Sequence, residues 1–145
     1  MNYWDTSALF KVYAPEDDSG YFGDLVVASG QPVVSSTIAM TEMLCALYRK
    51  EYAGELKRGG ALATYQKFVG DCRAGRIVLV PYGEQVFTAA EEIVRLAFRR
   101  ARPVMVRSLD AIHVASAVTA RARVMVATDA RLRQVAAMAN LKLMP

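Results

Sequence analysis

Short, continuous apolar runs alternate along this chain with longer segments of helical periodicity, and that alternation is the strongest constraint on its fold. Strand-length runs occur at 2–4, Val33-Val34, Ile77-Val78-Leu79-Val80, 124–127 and 141–144. Between them the pattern predicts helices from Thr6 or Ser7 through Val12, over 17–28, and from a cap at Ser35 or Ser36 to about Tyr52. Further helices are predicted over 54–73 (weakened by Gly59-Gly60), to near Ala101, from Leu109 to about Ala120 behind a Ser108 cap, and over 129–139. Val86, Ala90, Ile93, Val94 and Ala97 fall on one helical face. Strands that alternate with helices predict an α/β fold with a parallel sheet. Strands that are apolar throughout, rather than at every second residue, predict that both sheet faces are covered.

The 145 residues form a single expected domain, 1–145, with no repeat or linker. A hydrophobic content of 54% and a net charge of only +4 exclude a disordered chain. Cys45 and Cys72 are far apart and form no C-x-x-C pair, which excludes a disulfide framework and a zinc ribbon. The Met1–Asp5 segment lacks a basic region followed by an apolar one, so no secretory signal is read there. The longest uncharged stretch, 25–41, is interrupted by Gly30 and Pro32 and is rich in hydroxyls, unlike a membrane span. The expectation is a cytoplasmic protein with no membrane partner.

The charges are unevenly placed. Residues 1–92 hold 12 acids and 8 bases, whereas residues 93–145 hold 2 acids and 10 bases. Those two late acids, Asp110 and Asp129, have apolar neighbours: one lies in Ser-Leu-Asp-Ala-Ile-His-Val, the other in Val-Ala-Thr-Asp. Two early acids share this character. Asp5 ends the first strand, and Glu42 lies inside Thr-Ile-Ala-Met-Thr-Glu-Met-Leu-Cys-Ala-Leu. In a parallel α/β sheet the ligand crevice forms at the carboxyl ends of the strands, where Asp5 and Asp129 are expected. Carboxylates gathered in such surroundings require a compensating cation. A hard divalent metal, Mg²⁺ or Mn²⁺, matches an all-oxygen donor set.

Each acid also has a plainer explanation. Asp5 and Asp129 are placed to cap helices, and Asp110 is a favourable charge in a first helical turn. Glu42, within an apolar helix, has the weakest structural excuse. Taken singly, each Asp reads as a cap; taken together, the four read as a cluster. His113, three residues after Asp110, sits among core-like neighbours and reads as a buried, hydrogen-bonded structural residue. Cys45 and Trp4 read as core packing.

The segment Trp4-Asp5-Thr6-Ser7-Ala8-Leu9-Phe10-Lys11 resembles the opening strand-to-helix motif of PIN-domain proteins, and more narrowly of VapC toxins from type II toxin–antitoxin pairs. The blocks 36–42, Asp110-Ala111-Ile112-His113-Val114-Ala115 and Thr128-Asp129 follow in the family's order, so the resemblance spans the chain. It implies a PIN-like three-layer α/β/α fold with a central parallel sheet of about five short strands. It also implies a metal-dependent ribonuclease whose catalytic, metal-binding quartet is Asp5, Glu42, Asp110 and Asp129. Thr6, Ser7 and Thr128 match its supporting polar positions. Asn140 stands where the family often has Gly, and Asn tolerates the left-handed turn required there. Arg131 replaces a further acid found in some relatives, which leaves one or two metals open.

The implied cofactor is Mg²⁺, with Mn²⁺ as an alternative, and the implied substrate is RNA. The basic excess supplies candidate RNA contacts in Arg99, Arg100, Arg102 and Arg107, with Lys11 from the first motif; the competing reading is a solvated helix surface. Implied partners are a cognate antitoxin, a homodimer and a toxin–antitoxin hetero-oligomer. An apolar groove for such a partner is read in 8–13 and 21–27 with Met40, Met43, Leu47 and Tyr48, against the reading that these residues are core. Two rival functions remain: a metal-dependent phosphoesterase of small substrates, and a silent PIN-like binding domain whose acids are only caps.

Overall fold

The computed structural model describes all residues 1–145. Five strands, β1 (Asn2–Trp4), β2 (Val33–Ser36), β3 (Ile77–Val80), β4 (Val124–Val126) and β5 (Lys142–Met144), form one sheet in the order β3-β2-β1-β4-β5. Every pairing is parallel. The helices are α1 (Thr6–Tyr13), α2 (Ser19–Ser29), α3 (Ile38–Tyr52), α4 (Gly60–Arg73), α5 (Glu84–Arg99), α6 (Ser108–Thr119) and α7 (Ala130–Met138).

Successive strand residues point to opposite faces, and the core divides accordingly. Tyr3, Val34 and Met125 face a cluster with Val86, Ile93, Val114, Leu132 and Val135 from α5, α6 and α7. Trp4, Val33, Ile77 and Val126 face the other side, with Leu9, Phe22, Met43, Leu47 and Phe68 from α1 to α4. The result is the three-layer α/β/α arrangement with five short parallel strands that the resemblance implies. Trp4 is core packing as expected, edge-on to Phe22 at 6.1 Å.

The order of strands creates one switch point. The chain runs outward from β1 to β2 and β3, then returns to place β4 on the other side of β1. Connections therefore diverge to opposite faces between β1 and β4, and a crevice opens at their carboxyl ends.

Local chemistry moves several expected boundaries. The predicted 54–73 helix begins only at Gly60, because Gly54 and Gly59 both adopt φ +80°. Glu51 accepts hydrogen bonds from the amides of Gly59 and Ala61, fixing the new start. Ser35 and Ser36 belong to β2 rather than capping α3 from outside the sheet; Ser35 Oγ donates to the Trp4 carbonyl at 2.8 Å. Arg107, not Ser108, holds the N-cap position of α6. Asn140 adopts φ 60°, the left-handed turn anticipated for it. No helix is long and apolar enough to cross a membrane.

Candidate active site

Asp5 follows β1 directly and is anchored to the neighbouring strand, its amide donating to the Val126 carbonyl at 3.1 Å. Its carboxylate caps α1 by accepting from the Ala8 amide at 3.0 Å. Ser7 Oγ lies 2.8 and 2.7 Å from the two carboxylate oxygens and donates to them. Ser7 in turn accepts from the Thr128 amide at 3.1 Å and the Thr128 hydroxyl at 2.9 Å. The expected supporting residues Ser7 and Thr128 thus tie the end of β1 to the loop after β4. Capping and site-building coincide here: the helix end fixes the carboxylate's direction.

Glu42 enters from α3. Its Oε2 accepts from the Thr6 hydroxyl and lies 2.7 Å from His113 Nε2. A carboxylate offers acceptors only, so the imidazole Nε2–H donates. His113 is buried on α6, and its Nδ1 is 2.8 Å from the hydroxyl of buried Tyr3. The histidine is buried and hydrogen-bonded, as the sequence indicated, and it also orients a quartet member.

Asp110 lies in the first turn of α6 and is buried. Arg107 grips it with both arms of its fork: Nε donates to Oδ2 at 2.7 Å and Nη2 to Oδ1 at 2.9 Å. The same Nη2 donates to Asp129 Oδ2 at 2.9 Å. Asp129 caps α7, its other oxygen accepting from the amides of Arg131 and Leu132 at 2.9 and 3.0 Å.

The four acids, drawn from sites up to 124 residues apart in sequence, line one cavity of about 480 Å³ together with Thr6, Ser7, Arg49, Arg107 and His113. No three His, Cys, Asp or Glu side chains already converge to hold an ion among them. The hydrogen bonds explain this: Arg107 draws Asp110 and Asp129 to itself, while Glu42 turns to Thr6 and His113. Asp5 faces the cavity with the Ser7 hydroxyl and the Ala8 amide as the donors on its carboxylate. The donor set remains all-oxygen carboxylate, which fits a hard divalent cation.

The electrostatics follow these partners. Burial pushes the Asp5 carboxyl above its ordinary value, and the nearby His113 and the hydrogen bonds from Ala8 and Ser7 offset this only partly. Burial works in the same direction on Glu42, but His113, Thr6 and Arg107 outweigh it and hold that carboxyl low. Asp129 is also held low, against burial, by the α7 amides and Arg107. Burial pushes the Tyr3 hydroxyl upward, so it stays a neutral phenol.

The expected RNA-contact residues are not all at this cavity. Arg107 lines it, but Arg99, Arg100 and Arg102 do not. They occupy the end of α5 and the segment beyond it, exposed to solvent. Lys11 lines an adjoining cavity of about 580 Å³ and is ion-paired at 2.7 Å with both Glu16 and Asp18. Cys45 is exposed on α3 and lines that same cavity, because its helical position points away from Met43 and Leu47; the core expectation for it fails. The expected groove residues divide likewise: Met43 and Leu47 are core, whereas Tyr21, Val27 and Tyr48 are exposed. Arg49 was not singled out from sequence, yet it lines both cavities. Its signal was its spacing, two helical turns after Glu42 and therefore on the same face of α3.

Residues 3–138 match the sequence profile of the PIN domain. The chain belongs to the PIN-domain family. Among solved structures, the fold resembles VapBC2 from Rickettsia felis bound to a DNA fragment from their promoter, with TM-score 0.68, 15% identity, and coverage of 99% of this chain and 98% of that one. It also resembles FitAB bound to an IR36 DNA fragment, with TM-score 0.62, 17% identity, and coverage of 99% and 94%. A third similar structure is VapBC-1 from nontypeable Haemophilus influenzae, with TM-score 0.62, 12% identity, and coverage of 99% and 97%. No curated protein matches the chain in sequence. At these identities the likeness establishes a shared PIN fold across essentially the whole chain.

Proposed function

We propose that this PIN domain is a metal-dependent endoribonuclease toxin that hydrolyses RNA phosphodiester bonds and is neutralised by a cognate antitoxin. The observation that carries the reading is the gathering of Asp5, Glu42, Asp110 and Asp129 around one cavity at the β1/β4 switch point. Asp5 and Asp110 are the proposed direct ligands of Mg²⁺ or Mn²⁺, with Glu42 and Asp129 completing the set. Such an ion supplies Lewis-acid activation of water and offsets charge on the scissile phosphate.

The protein's own groups have separate tasks. Ser7 and the Ala8 amide aim the Asp5 carboxylate, and Thr128 holds Ser7 in place. Thr6 and His113 fix the rotamer of Glu42. Arg49, which lines both cavities, is placed to bind a phosphate beside the acids. The antitoxin reading is supported by the fold shared with VapBC and FitAB proteins. A homodimer is supported by an exposed apolar hollow of about 300 Å³ between α5 and α6, lined by Tyr82, Phe87, Ala90, Val94 and Ile112.

The test is cleavage of RNA by the purified chain with Mg²⁺ or Mn²⁺, alongside a phosphate monoester. RNA cleavage that EDTA abolishes supports the reading; hydrolysis of the monoester alone would replace it with a small-substrate phosphoesterase. One observation favours a silent binding domain, namely that Arg107 already compensates Asp110 and Asp129. That alternative predicts no Mn²⁺ binding that depends on Asp5 and Asp110. Growth arrest on induction, relieved by a co-expressed neighbouring small protein, tests the toxin assignment.

A further inference from the structure

Arg107 is fixed to the site by the helix it starts. Its carbonyl accepts from the Ala111 amide at 3.0 Å, which places its side chain beside Asp110 one turn later. The guanidinium engages both oxygens of Asp110 and one of Asp129, while the other Asp129 oxygen is held by the α7 amides. The Arg107 side chain is 49% exposed, whereas that of Asp110 is only 7% exposed. The cation is therefore the accessible member of the pair, and the carboxylate lies beneath it. A hard ion that takes an Asp110 oxygen competes with these N–H···O bonds for its lone pairs and brings its charge up against the guanidinium.

We propose that Arg107 is a built-in competitor for the divalent cation: its guanidinium holds Asp110 and Asp129 together and competes with the ion for their carboxylates. This rests on the metal-dependent reading above. The geometry of the fork supports it: one guanidinium engages both oxygens of Asp110 and one of Asp129. An arginine released from the carboxylates stays on the cavity wall, where its planar fork suits a phosphate as well as it suits a carboxylate. The same residue thereby lowers metal affinity and remains available to the substrate.

The test is titration of the full chain with Mn²⁺ by calorimetry, comparing the wild type with Arg107→Gln, Arg107→Lys and Arg49→Gln. Arg107→Gln is expected to bind Mn²⁺ about tenfold more tightly, the scale of a half-exposed, bidentate ion pair removed from competition. Arg107→Lys keeps the charge but loses the fork, so it should tighten binding by a smaller factor; it carries the test if the glutamine variant does not fold. Arg49→Gln removes a positive charge from the same cavity without touching the carboxylates and should change affinity little. In thermal melts, Mn²⁺ should raise the Tm of Arg107→Gln more than that of the wild type.

Equal Mn²⁺ affinity in the wild type and Arg107→Gln overturns the competitor role and leaves the metal-dependent reading standing. Equal tightening by Arg107→Gln and Arg49→Gln also overturns it, since a general field effect would then suffice. Failure of Mn²⁺ to bind either the wild type or Arg107→Gln overturns both proposals.

Discussion

The two ends of the carboxylate cluster solve the same physical problem in opposite ways. At one end Asp5 is buried, and only a hydroxyl and a backbone amide donate to it. At the other end Asp110 is comparably buried but carries a two-armed arginine, which also spans to Asp129. Burial alone therefore does not define these acids; their counter-charges do. Neutral donors orient a carboxylate and leave its charge available to an incoming cation. A guanidinium orients it equally well but satisfies that charge in advance.

Activity is where the two ends should look alike. Asp5→Asn and Asp110→Asn should each lower RNA cleavage more than about a hundredfold, since each removes a proposed ligand. A folded variant of either kind that cleaves at the wild-type rate would remove that residue from the mechanism.

Stability is where they should diverge. Asp5→Asn, measured in EDTA, should raise Tm by a few degrees. The folded carboxyl titrates above its ordinary value, so across that interval the folded state holds a proton that the unfolded chain has lost. Stability contributed by Asp5 is thus present below its unfolded pKa and lost as pH rises through its raised folded pKa. The asparagine keeps an oxygen for Ala8 and has no charge to bury, so the gain should be largest near neutral pH and vanish in acid. Asp110→Asn should instead cost about 1–2 kcal/mol, because it dismantles a charge-assisted pair whose arginine is half exposed. Denaturant melts that shift both variants in the same direction would erase the distinction between the two ends.

His113 connects the comparison to Glu42. His113→Phe leaves the Tyr3 hydroxyl without its partner inside the core and frees the Glu42 side chain. Cleavage should fall about 10–100-fold, the usual scale for loss of a group that orients a metal ligand. Retention of wild-type cleavage by a folded His113→Phe would leave the histidine a purely structural role.

The smallest effect belongs to Arg49→Gln. It should raise KM for RNA severalfold with little change in kcat, and reduce the salt dependence of RNA binding by about one unit of log–log slope. An unchanged slope would detach Arg49 from the phosphate. Equal losses from changing Arg99, Arg100 or Arg102 would return those residues to the RNA path, although they do not line the cavity.

Much of this site was legible in the sequence, for a definite reason. Acids at 5, 42, 110 and 129 stand out in the sequence among apolar neighbours; Asp5 and Asp110 prove buried, where an uncompensated charge is costly, whereas Glu42 and Asp129 remain partly exposed. The helix caps were legible too, because Asp5 and Asp129 act through amides two or three residues away. Less was legible where glycine conformation decided the outcome. The 54–73 segment has helical composition, but two left-handed glycines and the reach of Glu51 delay the helix to Gly60. Cys45 was misread because an apolar helix with one buried face still exposes about half its positions.

By itself the sequence determined the α/β alternation and singled out four candidate acids, both through local pattern and local polarity. Only the tertiary structure decided their partners from distant parts of the chain. His113 meets Glu42 across 71 residues, and Arg107 reaches Asp129 across 22. Arg49 comes to the cavity, while three other arginines face elsewhere. Those pairings depend on the strand order that brings β4 beside β1 and on the rotation of each helix about its axis. Neither is set by any one segment, because each arises from how all of them bury their apolar faces together.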